Sequence, residues 1–174
     1  MGKLKILVTG AAGFLGSHLS EKLLNLNHKV IGIDNMIGGD LDNLPKNLEF
    51  HKIDCCDFRK LNKITKNIDV VYHCAATAHE GLSVFSPVEN TKNNYLATVS
   101  VIAAGINNKV RRIIYCSSMA RYGNQKTPFT EDMKPDPVDP YGISKVAGED
   151  VLKNLCNLNN IEWVIAVPHN IIGP

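Results

Sequence analysis

Val8-Thr9-Gly10-Ala11-Ala12-Gly13-Phe14-Leu15-Gly16 decides the fold of this 174-residue chain. The three glycines follow the apolar run Lys5-Ile6-Leu7-Val8. They precede a stripe of Phe14, Leu15, Leu19, Leu23 and Leu26 at spacings of three and four. A short β-type run, a glycine turn and an amphipathic helix read as one strand–turn–helix unit. Gly10 permits the tight turn, Gly13 lets backbone N–H groups approach a pyrophosphate, and Gly16 lets the helix pack closely on the strand. The helix N-terminus then offers unpaired donors and a partial positive charge to phosphates. The spacing is G-x-x-G-x-x-G, and by itself it describes a glycine-rich turn equally well. Asp34 adds a second signal. It ends the next β-type run, 18 residues after Gly16, where a carboxylate accepts bonds from ribose hydroxyls. A carboxylate there also repels a 2′-phosphate, which favours NAD over NADP. The bland alternative is a surface Asp opening a turn with Asn35.

Five more β-type runs lie outward from this unit: Lys29 to Ile33, Leu48 to Ile53, Val70 to Cys74, Arg112 to Cys116 and Trp163 to Val167. They are apolar on both faces, as a sheet covered on both sides requires. Between them, Leu96, Val99, Val101, Ile102 and Ile106 keep a helical period, and Gly105 is expected to weaken the end of that helix. Another helix runs from Tyr141 through Val146, Val151, Leu152 and Leu155, and Ser86 or Pro87 is a candidate helix start. This alternation predicts an α/β fold, a Rossmann-type doubly wound parallel sheet with helices on both faces. Tyr122 to Pro140, with Pro128, Pro135, Pro137 and Pro140, is the one long loop, either functional or a tolerated insertion. With no repeat, low-complexity segment or linker, residues 1–174 read as a single dinucleotide-binding domain.

Composition narrows the function classes. Nineteen basic and 17 acidic side chains give a net charge of +2, with 44% hydrophobic and 21% charged residues. These values exclude disorder, collagen and coiled coil as global descriptions. The balance leaves no footprint for nucleic acid or an anionic membrane. No stretch approaches the ~20 apolar residues that cross a bilayer. Lys3 and Lys5 before an apolar stretch imitate a signal peptide, but charge returns at Glu21 and Lys22 and glycines interrupt the run. Cys55, Cys56, Cys74, Cys116 and Cys156 form no C-x-x-C pair, which suits buried thiols in a reducing cytoplasm. No metal site is expected, since no pair among the six histidines has zincin spacing. His73 is expected to pack at its strand end. His79-Glu80 is expected in a loop, solvated or facing a substrate, and Lys109, Arg111 and Arg112 in a solvated turn.

Tyr141 and Lys145 form Y-x-x-x-K, an i, i+4 pair on one helix face. A free Tyr has pKa ~10 and is a poor base at neutral pH. An ammonium ~5 Å away, at an effective dielectric of ~20, contributes about 3 kcal/mol, roughly two pKa units. The pair therefore predicts a phenol able to take and return a hydroxyl proton. A surface Tyr beside a solvated Lys has the same pattern. Ser117-Ser118 ends the fifth β-type run, where open α/β sheets place ligands, and supplies a hydroxyl for the reacting oxygen.

Together these features resemble the extended short-chain dehydrogenase/reductase superfamily, and within it the NAD-dependent nucleotide-sugar epimerase branch, of the UDP-glucose 4-epimerase kind. The resemblance covers the whole chain. It rests on Val8 to Gly16, Ile33-Asp34-Asn35, Ile53-Asp54, Val71 to Ala76, Asn94, Ser117-Ser118 with Tyr122-Gly123, Tyr141 to Lys145, and His169-Asn170 with Gly173-Pro174. The resemblance implies that Gly10, Gly13, Phe14, Leu15 and Gly16 hold the pyrophosphate, with Asp34 and Asn35 at the adenosine ribose. It implies Asp54 and Cys55 at the adenine, Ala75, Ala76 and Thr77 lining the cofactor, and Asn94 supporting that site. Ser118 falls at the catalytic Ser/Thr position and also at the substrate. Tyr141 would be the base, in contact with cofactor and substrate, with Lys145 as its partner on the nicotinamide ribose. Asn170 would contact the substrate. Pro168 and His169 stand where many relatives have an aromatic pair, with Pro168 on the nicotinamide side.

The implied activity is reversible epimerisation of a UDP-hexose at C4, by transient hydride transfer to NAD and return to the other face. Met119-Ala120 stand where 4,6-dehydratases carry Asp-Glu, so water elimination lacks its acid–base pair. Asn35-Met36 offers no cation for NADP. An NAD-dependent sugar or amino-acid dehydrogenase would share these residues. A non-catalytic NAD-binding module typically loses Tyr and Lys, and an RNA-binding role has little support from the charge. The family implies a homodimer formed through Asn90 to Ile106 and Tyr141 to Leu155. Family chains continue into a small substrate domain, so the 174 residues are expected to be an N-terminal portion that binds NAD without turning over sugar alone.

Overall fold

Ile6 and Val8 point to one face of the central strand β1 (Lys5–Thr9) and Leu7 to the other, and all three are essentially inaccessible to solvent. A strand buried on both faces needs neighbours on both edges. The computed structural model describes residues 2–173, so Met1 and Pro174, the last residue of the Gly173-Pro174 match, lie outside the described residues. Around β1 stand β2 (Lys29–Asp34), β3 (Glu49–Lys52), β4 (Val70–His73), β5 (Arg112–Cys116) and β6 (Glu162–Ala166). All pairings are parallel and the order is β3-β2-β1-β4-β5-β6. This is a Rossmann-type sheet, and the six expected strands all form. Register is fixed by apolar pairs such as Leu7↔Ile31, Leu7↔Val71 and Val71↔Ile113.

Helices α1 (Phe14–Asn25), α2 (Phe58–Ile64), α3 (Glu80–Phe85), α4 (Pro87–Asn90), α5 (Ala97–Asn107) and α6 (Pro140–Leu158) connect the strands. One core places Leu7, Ile31, Val71 and Ile113 against Leu61, Val101, Ile102, Leu152 and Cys156 of α2, α5 and α6. The other places Ile6, Val8, Val30 and Val70 against Leu23 of α1. Among the described residues no helix is long and apolar enough to cross a membrane.

Three local outcomes differ from the sequence reading. Glu80 starts α3, with His79 as its N-cap, rather than lying in a loop. Helix α2 forms on a single buried residue, Leu61, and an Asp57 side chain that accepts from Lys60 N at 3.2 Å. Gly105 stands in the last turn of α5. A Cβ there would meet Ile113 Cδ1 at 2.9 Å, so the glycine lets α5 press onto β5. Between α4 and α5 the helix passes through a π-helical turn, Thr91–Leu96.

Candidate active site

The winding reverses between β1 and β4, and a crevice at such a switch point is where open α/β sheets take ligands. The glycine segment forms its rim. Gly10 has φ 70°, and a Cβ there would lie 2.8 Å from the Ala75 backbone. A Cβ on Gly16 would run into the Gly10 carbonyl. At Gly13 a Cβ would meet only the Gly10 oxygen, at 3.3 Å, with nothing else within 4 Å. Gly13 is the N-cap of α1 and has no side chain to cap the helix, so the first-turn N–H groups at Phe14 and Leu15 keep their donors. A cradle bounded at the missing Cβ by a single backbone oxygen, with uncapped donors and a positive helix end, fits a dinucleotide pyrophosphate.

Asp34 is 8% exposed, and its oxygens accept from Ala12 N at 3.1 Å and Met36 N at 2.8 Å. Met36 takes up φ 69° to make that bond. Each carboxylate oxygen keeps a second lone pair for a ribose hydroxyl. Asn35 is half-buried beside it, with its own oxygen on Ile37 N. Asp54 accepts from Cys56 N at 2.8 Å. The Cys55 thiol belongs to the core and burial pushes its pKa up to about 12, so Cys55 has only backbone to offer an adenine.

Beyond β4, a buried polar chain fixes the segment Ala75-Ala76-Thr77. Ala75 N donates to Thr9 Oγ1 at 3.1 Å, and Thr9 Oγ1 donates to His73 Nδ1 at 2.7 Å, because Thr98, which spends its own proton on the Asn94 carbonyl, must accept from Nε2–H. His73 Nε2–H then donates to Thr98 Oγ1 at 3.0 Å, and Thr98 donates to the Asn94 carbonyl at 2.6 Å. This direction assigns the neutral Nε2–H tautomer. Burial, seconded by the Lys145 charge, drives the His73 pKa down to about 3. His73 therefore packs at its strand end, but as a wired linker rather than a bystander. Asn94 lies in the π-helical turn. Its Oδ1 accepts from Thr77 N at 2.8 Å and its Nδ2 donates to Asn90 Oδ1 at 2.7 Å.

Tyr141, Lys145 and Ser118 meet at the carboxyl end of β5, and all are buried. Asp139 caps α6 through Gly142 N at 2.8 Å, and Ser83 of α3 accepts from Tyr141 N at 3.2 Å. Ser118 caps the 3-10 turn Met119–Tyr122 by accepting from Ala120 N at 3.1 Å. Lys145 Nζ donates to the Cys116 carbonyl at 2.8 Å and lies 5.7 Å from the Tyr141 ring centre. The expected depression of the Tyr141 pKa is not found. Burial raises it, and the hydrogen bond with Ser118 only partly opposes that. The Glu80 and Asp139 charges push the same way as burial, and burial lowers the pKa of Lys145 itself to about 8.

Pro168 is half-buried, its carbonyl accepting from Met119 N at 3.1 Å, directly beside the Ser118 turn. Asn170 lies exposed in the segment after β6. Several residues of the site escape a reading of the sequence. Asn43 Nδ2 and Asp40 N both donate to the Ala12 carbonyl at 3.0 Å and tie a loop over the glycine turn. Glu149, 1% exposed, accepts from Ser117 Oγ and pairs with Arg121 Nε at 3.1 Å. Its one signal is its position, one turn after Lys145 on the Tyr141 face. Ser83 and Asn43 have none.

Comparison with known proteins follows the same lines. The family model for the NAD dependent epimerase/dehydratase family matches residues 6–174. A UDP-glucose 4-epimerase of Mycolicibacterium smegmatis is 34% identical over 179 residues, spanning 98% of this chain and 57% of that protein. The crystal structure of a UDP-glucose 4-epimerase with UDP-glucose from Thermotoga maritima superposes with TM-score 0.90 at 30% identity, over 93% of this chain and 54% of its own. That of the Thermus thermophilus UDP-glucose 4-epimerase in complex with NAD gives TM-score 0.89 at 31% identity, over 93% and 54%. The chain thus spans a little over half the length of these relatives. With the model matched over nearly every residue, the chain belongs to the NAD dependent epimerase/dehydratase family.

Proposed function

We propose that the protein containing this chain epimerises a nucleotide sugar, a UDP-hexose at C4, and that these residues supply its NAD site and its acid–base group. The observation that carries the reading is Tyr141 and Lys145 one helical turn apart, beside Ser118 and at the same sheet end as the glycine cradle. Gly10, Gly13, Phe14, Leu15 and Gly16 would hold the pyrophosphate, and Asp34 with Asn35 the adenosine ribose. Asp54 and the Cys55 backbone would face the adenine. Ala75, Ala76, Thr77 and Pro168 would flank the nicotinamide side, with Asn94 holding Thr77 in place. Bound NAD supplies the place where the C4 hydride is kept between its removal and its return to the opposite face.

Tyr141 takes the C4 hydroxyl proton and returns it after the keto-sugar has turned. Ser118 hydrogen-bonds the reacting oxygen. Lys145 holds the nicotinamide ribose and, as an ammonium, favours the phenolate. Since burial raises Tyr141, deprotonation needs both this ammonium and the positive charge of the oxidised cofactor nearby. Asn170 would contact the sugar. Residues beyond this chain would complete sugar selection. The protein is further read as a cytoplasmic homodimer without nucleic-acid partners, formed through Asn90 to Ile106 and Tyr141 to Leu155, where Leu96 and Ile143 are about half exposed.

The test is proton NMR of a UDP-hexose panel with the longest product of the gene. Interconversion of C4 epimers with NAD returned each cycle is expected, whereas a dehydrogenase would consume added NAD⁺. Tyr141→Phe should cut turnover by at least ~10²-fold, the usual contribution of a general base, with NAD⁺ still bound. Unchanged turnover in that variant would exclude the assigned role.

A further inference from the structure

Cys74 and Cys116 lie one residue beyond the in-register pair His73↔Tyr115, at the carboxyl ends of the adjacent parallel strands β4 and β5. The His73 and Tyr115 rings stack with centres 5.7 Å apart, holding the two strands together at this point. Neighbouring strands run about 4.8 Å apart, inside the ~4.4–6.8 Å window that a disulfide requires of its Cα atoms. The two sulfurs are 3.6 Å from one another, and both thiols are free and half-buried. Their surroundings are those of the candidate site. The Cys116 carbonyl accepts from Lys145 Nζ, and Cys74 leads directly into Ala75, whose backbone abuts Gly10. The other three thiols are placed differently: Cys55 and Cys156 belong to the core, and Cys56 donates to the Lys92 carbonyl.

We propose that Cys74 and Cys116 are a redox-active dithiol in the floor of the dinucleotide site, which a peroxide closes to a disulfide and bound NAD shields. The placing beneath NAD rests on the function proposed above, while the closure itself does not. The two sulfurs have distinct roles. Either thiol can donate across the 3.6 Å contact; with Cys74 as donor, that bond, aided by the Lys145 charge, lowers the Cys116 pKa to about 7 and raises Cys74. Cys116 is therefore the attacking thiolate. It displaces hydroxide from hydrogen peroxide, breaking the O–O bond and forming a sulfenic acid. Cys74 sulfur then attacks that sulfur, its proton leaving with the expelled hydroxide as water. Two thiols and one peroxide thus give one disulfide and two waters. A small dithiol reverses the step by exchange. Bringing the sulfurs from 3.6 Å to bonding distance turns both side chains and strains the carbonyl that holds Lys145 and the backbone facing Gly10, so the closed form should bind NAD⁺ about tenfold more weakly.

The test treats the chain with hydrogen peroxide, with and without saturating NAD⁺, then alkylates free thiols and maps peptides by mass spectrometry, with NAD⁺ binding measured separately by calorimetry. A Cys74–Cys116 linked peptide, opened by dithiothreitol, absent in Cys74→Ser and Cys116→Ser and suppressed by NAD⁺, is the expected result. Cys74 and Cys116 alkylated as fully after peroxide as before, with oxidation residing on Cys56, would overturn the dithiol. A link that forms equally with NAD⁺ demonstrably bound would overturn the shielding. A chain that forms the link yet binds no NAD⁺ also overturns the placing beneath NAD, and there the fault lies in the dinucleotide reading, since the closure stands.

Discussion

Two buried basic side chains show how this site is held at some cost in stability. Lys145 is 3% exposed and burial lowers its pKa from 10.5 to about 8, so at pH 7 the fold carries an ammonium it disfavours by about 3 kcal/mol. Its hydrogen bond to the Cys116 carbonyl offsets about 1 kcal/mol of that. Lys145→Met should therefore raise stability by roughly 1–3 kcal/mol in urea unfolding at pH 7 while weakening NAD⁺ binding. A fall in stability would show that the ammonium is better solvated than its burial indicates. His73 acts with the same sign in a lower pH window. Its folded value is about 3 against 6.5 unfolded, so the unfolded chain takes up a proton in that window and the folded chain does not. The His73 contribution is complete above about pH 6.5 and is lost as pH falls toward 3, at about 2 kcal/mol by pH 5. His73→Gln removes the titration and keeps a donor for Thr98. Unfolding free energies at pH 7 and 5 should differ by about 2 kcal/mol less in that variant, and equal slopes would reject the linkage.

At the scale of elements, the helix after β4 carries the least expected feature. A π-helical turn opens over Thr91–Leu96, and such turns re-aim side chains and occur often at functional sites. Here the turn contains Asn94, whose amide brackets Thr77. Asn94→Leu leaves the Thr77 N–H without its acceptor, a cost of about 1–3 kcal/mol carried by the segment proposed to line the cofactor site. NAD⁺ affinity should fall about tenfold or more by calorimetry, with far-UV circular dichroism unchanged. Equal affinity would mean that the Ala75–Thr77 segment holds its shape unaided. The contrast between Asn94 and α2 shows what a sequence can carry. The strands and α1, α5 and α6 are legible because burial on one or both faces imposes a period, and Tyr141, Lys145 and the glycines because chemistry fixes their spacing. Helix α2 has one buried residue and no period, and α3 hides behind Gly81 in a segment without an apolar stripe. Asn43, Ser83 and Glu149 reach the site through tertiary contacts spanning 31 to 58 residues, which no local pattern encodes. Spacing misjudges the Tyr141 pKa for a related reason: it gives the distance to Lys145 but not how deeply both are buried.

For the whole molecule, β1 is the hinge of the design. On one side of it β2 and β3 carry Asp34 and the residues near Asp54. On the other, β4, β5 and β6 lead into Thr77, Ser118 and Pro168. A dinucleotide lying across the carboxyl ends would touch both halves, so its binding energy should add to the cooperative stability of the entire sheet rather than to one lobe. A ligand bound only by the folded state at a hundred times its Kd contributes about 2.7 kcal/mol. For a chain of this size each kcal/mol moves the midpoint by about 2–4 °C, so saturating NAD⁺ should raise Tm by roughly 5–11 °C in a single transition. Gly13→Val should abolish the shift by filling the cradle, and should lower the Tm of the free chain only as far as the Gly10 oxygen, 3.3 Å from that Cβ, must give way. Asp34→Ala should diminish the shift for NAD⁺. NADP⁺, whose 2′-phosphate meets the Asp34 carboxylate, should produce less stabilisation than NAD⁺ in the native chain. A scan that splits into two transitions on adding NAD⁺ would mean that the cofactor fastens to one half only, and that the crossing at β1 is not where it lies.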